Sequence, residues 1–402
     1  MWRGRGAHPE LAHLLWCAPA PNVSVFSGGF LCNVSVLVAT ERLDGLQLTV
    51  RNSWVSGYGL RYPAGVGVLL VKSLNGTVAH CDISGGYYNG IIFGGTKDAG
   101  AYSRYELNRV HGNGREADDG ICDFGGIHGS NAGSLKPTFI TSNIFHNVTA
   151  FQNGGIGIYL DVSSTGVQVE RNLVFDVTAS ALNWNINPGV PALPFPYPAG
   201  AEPTRILNNV FIANRDNEFG RRKALTGKGN TNSALKWSGY APCVFERNVI
   251  VVDSTTAPSR DGFYGGKPCA LSDLPPPQSP HCTADLADNM WGDTLSHNLY
   301  FNVTWMSGMY MSSTFPGGCA DTALGECSNK PGKDRRNPFA GGGCSCRSLK
   351  QWQATGADNA SIHADPQLQG PLKLVTSAAA LSLGIEPLHE LVTAGPDWDL
   401  TE

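Results

Sequence analysis

The chain has 402 residues and a formal net charge of -4, with only 15% charged residues against 42% hydrophobic ones. Low charge with an apolar share of that size excludes a disordered chain, and the lack of a basic patch excludes a nucleic-acid binder. No run of 18 or more apolar residues occurs, so no membrane-spanning segment is expected.

In chain order, residues 11–20 are apolar, follow Arg3 and Arg5, and end in small residues, which resembles a signal peptide. His13 interrupts that stretch, and the alternative is a truncated start, so residues 1–32 are set apart as an N-terminal segment. Six Asn-x-Ser/Thr sequons follow at Asn22, Asn33, Asn75, Asn147, Asn302 and Asn359, and the chain holds 11 cysteines. Together they point to a secreted glycoprotein with disulfides rather than a cytosolic protein with scattered thiols. The late cysteines fit no standard zinc spacing. Cys269–Cys282 and Cys319–Cys327 are the favoured disulfides, since each would close a short loop.

From residue 33 a phrase recurs: Asn, a residue, then an apolar position. It occupies Asn52, Asn108, Asn143, Asn172, Asn209, Asn248 and Asn298, with Cys81 filling the same slot, at spacings of 29, 27, 35, 29, 37, 39 and 50 residues. A period near 30 is that of a coil with three short strands and three turns. The predicted fold is therefore all-β, a right-handed single-stranded parallel β-helix over residues 33–314. The repeated Asn sits at a tight bend and forms an internal amide ladder along one inner turn. An all-β sandwich would instead show turn signals every 8–12 residues. Spacings above 30 place insertions after Asn108, Asn172, Asn209 and Asn248, commonly on the binding face. Residues 188–204 and 253–289 read as long loops, 315–347 as a Cys- and Gly-rich loop, and 348–402 as a C-terminal cap with a short helix at 348–356.

The densest acidic and glycine-rich run is residues 116–128, and a second acid closes Gly154-Gly155-Ile156-Gly157-Ile158-Tyr159-Leu160-Asp161. Asp123 and Asp161 are 38 residues apart. Equivalent positions on neighbouring coils stack at ~4.8 Å. That would set two carboxylates in the range a glycosidase needs for an acid with a nucleophile or base. The neighbouring glycines would let a bulky sugar approach the backbone. The bland alternative makes Asp161 the cap of its own turn and Asp123 an ordinary loop acid.

These residues resemble a family. Tyr62-Pro63-Ala64-Gly65-Val66-Gly67-Val68, Asp123-Phe124-Gly125-Gly126-Ile127, Gly157-Ile158-Tyr159-Leu160-Asp161 and Asn208-Asn209-Val210-Phe211 are similar to motifs of the β-helical glycoside hydrolase family 141. So are Ser348-Leu349-Lys350-Gln351-Trp352, Asp365-Pro366 and Leu383-Gly384, and the likeness covers residues 57–387. The resemblance implies α-L-fucosidase or xylanase-like hydrolysis of plant cell-wall polysaccharide, with Asp123 and Asp161 as the catalytic pair. This chain departs from it in two places. His128 stands where relatives carry Tyr, and Asn183-Trp184-Asn185 replaces a His-x-His pair.

Substrate-binding candidates are His128, Tyr159, Asn183, Trp184, Asn185, Arg215 and Arg221. The arginines suit carboxylates or sugar hydroxyls. Tyr87, Tyr88, Tyr159 and Trp184 offer ring faces for a pyranose. His80, His111 and His146 read as structural. No metal or other cofactor is called for, and the expected state is a monomer acting on a polysaccharide. A polysaccharide lyase or uronate epimerase is the runner-up. It would need an acidic Ca²⁺ cluster, for which Asp118, Asp119 and Asp123 with Arg115 are the candidates. A carbohydrate-binding protein without catalysis is the third reading.

Overall fold

The structure is a computed structural model. It describes residues 23–32, 36–39, 48–60, 63–71, 73–94, 102–114, 123–130, 137–150, 154–161, 164–185, 203–213, 233–238, 243–252, 263–265, 294–301, 306–308, 345–347, 349–353, 358, 360–370 and 372–396. Arg215, Arg221, Arg115, Asp118, Asp119 and the cysteines of both favoured disulfides lie outside these residues.

The molecule is all-β, built from two large sheets of almost entirely parallel strands. That architecture is compatible with a β-helix-like solenoid. The ten-stranded sheet takes one strand from each repeat, among them Val68–Val71, Ile91–Gly94, Gly125–Ser130, Ile156–Asp161, Ser180–Asn185 and Ser233–Ser238. The seventeen-stranded sheet takes two per repeat and so divides into two parallel rows. Thr77–Ala79, Arg104–Glu106, Thr138–Thr141, Val167–Glu170, Thr204–Leu207, Cys243–Glu246 and Thr294–Ser296 form the first row. Asp82–Ser84, Arg109–Asn113, Ile144–Val148, Leu173–Val177, Val210–Ala213, Val249–Val252 and Leu299–Phe301 form the second. Stacking begins earlier than the phrase suggested, because Val23–Cys32 already pairs with Leu48–Ser56. It also extends later, because Ile362–His363 pairs with Leu299–Phe301.

Parallel strands stack like residues on like. The second row therefore turns Ile83, Val110, Phe145, Val174, Phe211, Ile250 and Tyr300 inward as one fully buried column. The ten-stranded sheet contributes Val68, Ile91, Ile127, Ile158, Leu182 and Leu235 in the same way. Burying several large apolar side chains in every repeat is the main stabilising term.

The corner between the two rows is always two residues long, from Ala79–Asp82 to Ser296–Leu299. Its first residue is left-handed: His80, Leu107, Ser142, Arg171, Asn208, Arg247 and His297 all have φ between 52° and 59°. The second residue is the ladder side chain. Asn108, Asn143, Asn172, Asn209, Asn248 and Asn298 are fully buried. Each amide nitrogen donates to the amide oxygen of the next rung, at 3.0 Å for four pairs and 3.2 Å from Asn248 to Asn298. The same nitrogens donate to carbonyls across the corner, as Asn172 does to Ile140 and Glu170. The Asn thus does not itself occupy the left-handed position, as its type suggested; it braces the residue before it. At the first corner the phrase is displaced by one. Asn52 is left-handed (φ 45°), and Ser53, fully buried, takes the rung opposite Cys81. Burial, offset in part by backbone hydrogen bonds, pushes the Cys81 thiol up to about 12. It therefore stays S–H and donates to Ala79 O at 3.2 Å.

All other connections are variable. Those entering the ten-stranded sheet from the other run from two to nineteen residues, those leaving it for the other from four to twenty-eight, and 36 separate its strands Met306–Gly308 and Ser345–Arg347. Insertions therefore gather at both ends of that sheet and never at the Asn corner.

The C-terminal segment does more than end the stack. The predicted helix appears as Leu349–Gln353. Asp358 closes the ladder, accepting from Asn298 Nδ2 at 3.2 Å, from the Tyr300 hydroxyl at 2.6 Å and from Ser361 Oγ. Residues 384–395 then run back along the left-handed corner residues. Asn208 Oδ1 accepts from Glu386 N, Arg171 grips Glu390 through two nitrogens and also pairs with Glu386, and Gly395 N donates to Leu107 O. Val375, Ala380, Leu383, Leu388 and Leu391 cover the outer face of the second row at Leu173, Val210, Val249 and Leu299.

Candidate functional site

In the ten-stranded sheet the inward positions alternate with Ile92, His128, Tyr159 and Asn183, which pair in one continuous register on the outward face. Asp161 lies on that face too, two residues beyond Tyr159. The outward position is set by period-two alternation: Ile127 and Gly129 face the core side, His128 does not.

His128 and Tyr159 stack with ring centroids 4.5 Å apart at 15°. The Tyr159 hydroxyl donates to Asp123 Oδ1 at 2.8 Å. His128 Nε2 lies 3.5 Å from Asp161 Oδ2. Asp123 is half-buried and left-handed (φ 64°), ahead of the strand it introduces. Four sequence-predicted residues therefore meet as Asp123, Tyr159, His128 and Asp161, in that spatial order, with Asn183 beside Tyr159 on the next strand.

Asp123 and Asp161 do not occupy equivalent positions. Asp161 is paired with Ser130, whereas Asp123 precedes Gly125, the partner of Ile156. A count of 38 residues ignores where in each repeat the residue falls. The link between the two carboxyls runs through the Tyr159–His128 stack. The turn after Asp161 is closed by its backbone carbonyl, which accepts from Ser164 N at 3.1 Å and Ser164 Oγ at 2.6 Å.

Trp184 is a correction to the sequence reading. It is fully buried and faces inward next to Leu160, and its Nε1 donates to Ser164 O at 2.7 Å. It is core, with no face to offer a sugar. Tyr159 likewise has one face covered by His128, so it presents an edge. Tyr88 packs toward Phe124 at 5.9 Å. Asn185 pairs with Ser238 at the end of its strand.

The glycines also need a different reading. A Cβ on Gly126 would meet Phe145 Cδ1 at 2.8 Å and Gly157 O at 2.9 Å, and one on Gly157 would meet Val174 Cγ1 at 2.2 Å. Gly90 and Gly67 are hemmed in the same way by Val110 and Ile83. These four form a column where the second row meets the ten-stranded sheet, so they admit core side chains rather than a ligand. The recurrence of glycine at 67, 90, 126 and 157, one per repeat, was the sequence signal for this role.

His111 and His146 make contacts within the second row. His111 Nε2 sits 3.1 Å from Asp82, and His146 is stacked between His111 and Phe175. Burial, followed by repulsion from His111, pushes His146 down to about 4. Among the described residues no cluster of three metal-ligating side chains occurs. Asn75, in one of the six sequons, is exposed at a left-handed turn (φ 55°).

No protein-family model, no curated protein and no solved structure matches this chain. The likeness to glycoside hydrolase family 141 rests on the motifs themselves.

Proposed function

We propose that this chain is a right-handed parallel β-helix of the secretory route that hydrolyses glycosidic bonds in a cell-wall-type polysaccharide. The single observation that carries the reading is the polar group on the outward face of the ten-stranded sheet. Asp123 and Asp161 stand on either side of the Tyr159–His128 stack, on a sheet with long insertions at both ends of its strands.

Two carboxyls flanking a sugar are the machinery of glycoside hydrolysis. Asp161, buried beside His128, takes the acid role and protonates the leaving oxygen as the glycosidic bond breaks. Asp123, half-exposed and fixed by Tyr159, takes the base role. It accepts the proton of the water that attacks the anomeric carbon from the other side. A tyrosine and a histidine between the carboxyls suit the wider separation of inverting enzymes, about 6.5–9.5 Å, better than the about 5–5.5 Å of retaining ones.

The test is incubation of the purified full chain with a panel of plant and algal polysaccharides. New reducing ends without unsaturation, with the anomeric configuration of the first product inverted by NMR, are expected. A new double bond absorbing in the ultraviolet would make it a lyase, and binding without cleavage a carbohydrate-binding protein. Asp123→Asn and Asp161→Asn should each lower turnover roughly 10²–10⁴-fold; near-full activity in both variants would sink the mechanism.

A further inference from the structure

The outward row leaves particular polar atoms unmatched. His128 is 7% exposed and Asn183 3%, and among the described residues neither ring nitrogen of His128 nor Oδ1 of Asn183 has a hydrogen-bond partner. The 3.5 Å approach of His128 Nε2 to Asp161 Oδ2 is not a hydrogen bond. Unmatched buried polar atoms oppose folding. Three of the ten such atoms among the described residues fall in this one row.

Tyr159 stands between the two residues, on the middle of three neighbouring strands. Its ring lies flat against His128 and its hydroxyl is already donated to Asp123. The row therefore presents edges, not faces. His128 and Asn183 are two strand spacings apart, about 9–10 Å at the backbone. A neutral imidazole offers one donor and one acceptor, whereas an amide oxygen can only accept. The group that completes the row must bring an O–H to Asn183 and a second oxygen to His128, with a small rigid frame between them. A pyranose has that form.

We propose that His128 and Asn183 form a subsite that holds one pyranose edge-on across Tyr159, with one hydroxyl against the imidazole and another donating to Asn183 Oδ1. This rests on the glycan reading above and deepens it. The ligand class is an uncharged sugar unit whose hydroxyl at the Asn183 side is free, because a methylated or acetylated oxygen has no proton to give.

The experiment is calorimetric titration of the full chain with neutral cell-wall oligosaccharides at millimolar concentration, each beside its O-methylated form. His128→Phe keeps the stack on Tyr159 and removes the nitrogens. Asn183→Leu removes the acceptor, and Asn183→Asp keeps one. His128→Phe and Asn183→Leu should each weaken binding at least tenfold without lowering Tm, Asn183→Asp should stay within about threefold, and O-methylation should abolish binding. Wild-type affinity in both removing variants, a fall in Tm that accompanies lost binding, or no binding by any oligosaccharide would overturn the subsite. Binding without cleavage would remove the hydrolase reading and leave the subsite standing. Cleavage with unaffected variants would do the reverse.

Discussion

Two rows of buried polar side chains run across this molecule, and they differ in one respect. In the corner ladder, Asn108 to Asn298, every amide is matched above, below and to the backbone. In the outward row of the ten-stranded sheet, His128 and Asn183 keep unmatched atoms. A matched row fixes register and rewards regularity, so its corner never varies from two residues. An unmatched row gains nothing from regularity and leaves capacity for something else. A buried polar group by itself is thus no sign of function.

The largest expected contrast is between Asn172→Ala and Asn183→Ala. The first strips a central rung and strands the amides of Asn143 and Asn209, for a loss of roughly 3–5 kcal/mol. The second removes an unmatched acceptor, for a change within about 1 kcal/mol of zero. Chemical denaturation of both variants measures this, and equal losses would erase the distinction between the rows.

Gly157→Ala comes next. Its methyl would press on Val174 and on Ala181 O, so overpacking should cost about 1–3 kcal/mol. If the glycine served ligand access instead, stability would hold while binding fell.

The Arg171–Glu390 clamp is smaller, because both side chains are about 30% exposed (32% and 28%). Arg171→Met should cost about 1 kcal/mol or less after solvent screening. Burial raises Glu390, but the hydrogen bonds and charge of Arg171 outweigh it, so its carboxyl lies below the ordinary value. A depressed carboxyl stabilises above its unfolded value and loses that contribution as pH falls through the folded one. The wild-type advantage over Arg171→Met should therefore shrink on acidification below the ordinary glutamate range, as followed by thermal melts.

The subtlest test concerns the ladder's end. Burial raises Asp358, and the hydrogen bonds from Ser361, Tyr300 and Asn298 offset this only in part. Above the unfolded value the unfolded chain ionises first, so the native state loses stability as pH rises toward the folded value. Asp358→Asn cannot ionise and continues the amide ladder. Its Tm relative to wild type should climb from about pH 4 upward; a constant difference would show that Asp358 does not resist ionisation.

What the sequence determined by itself was whatever repeats. An Asn at nearly regular intervals, with an apolar residue two places on, dictates stacked parallel strands and an inner ladder, because identical residues on neighbouring strands must meet. The glycines were misread as room for a sugar, because a glycine that admits a ligand and one that admits a core side chain look alike in sequence. Asn52 misled because one residue of phase decides between the left-handed position and the rung, and both tolerate Asn. The site was half legible. His128, Tyr159, Asn183, Asp123 and Asp161 converge, but Trp184 turns inward, since alternation assigns neighbours to opposite faces. That Asp161 meets Ser130 rather than Asp123 was decided only by the tertiary structure. Connectors of two to 36 residues carry no phase information, so the register of one strand on the next is set by core packing and backbone pairing. The return of residues 384–395 along the corner is likewise tertiary, because no local pattern tells an apolar tail which outer face it will cover.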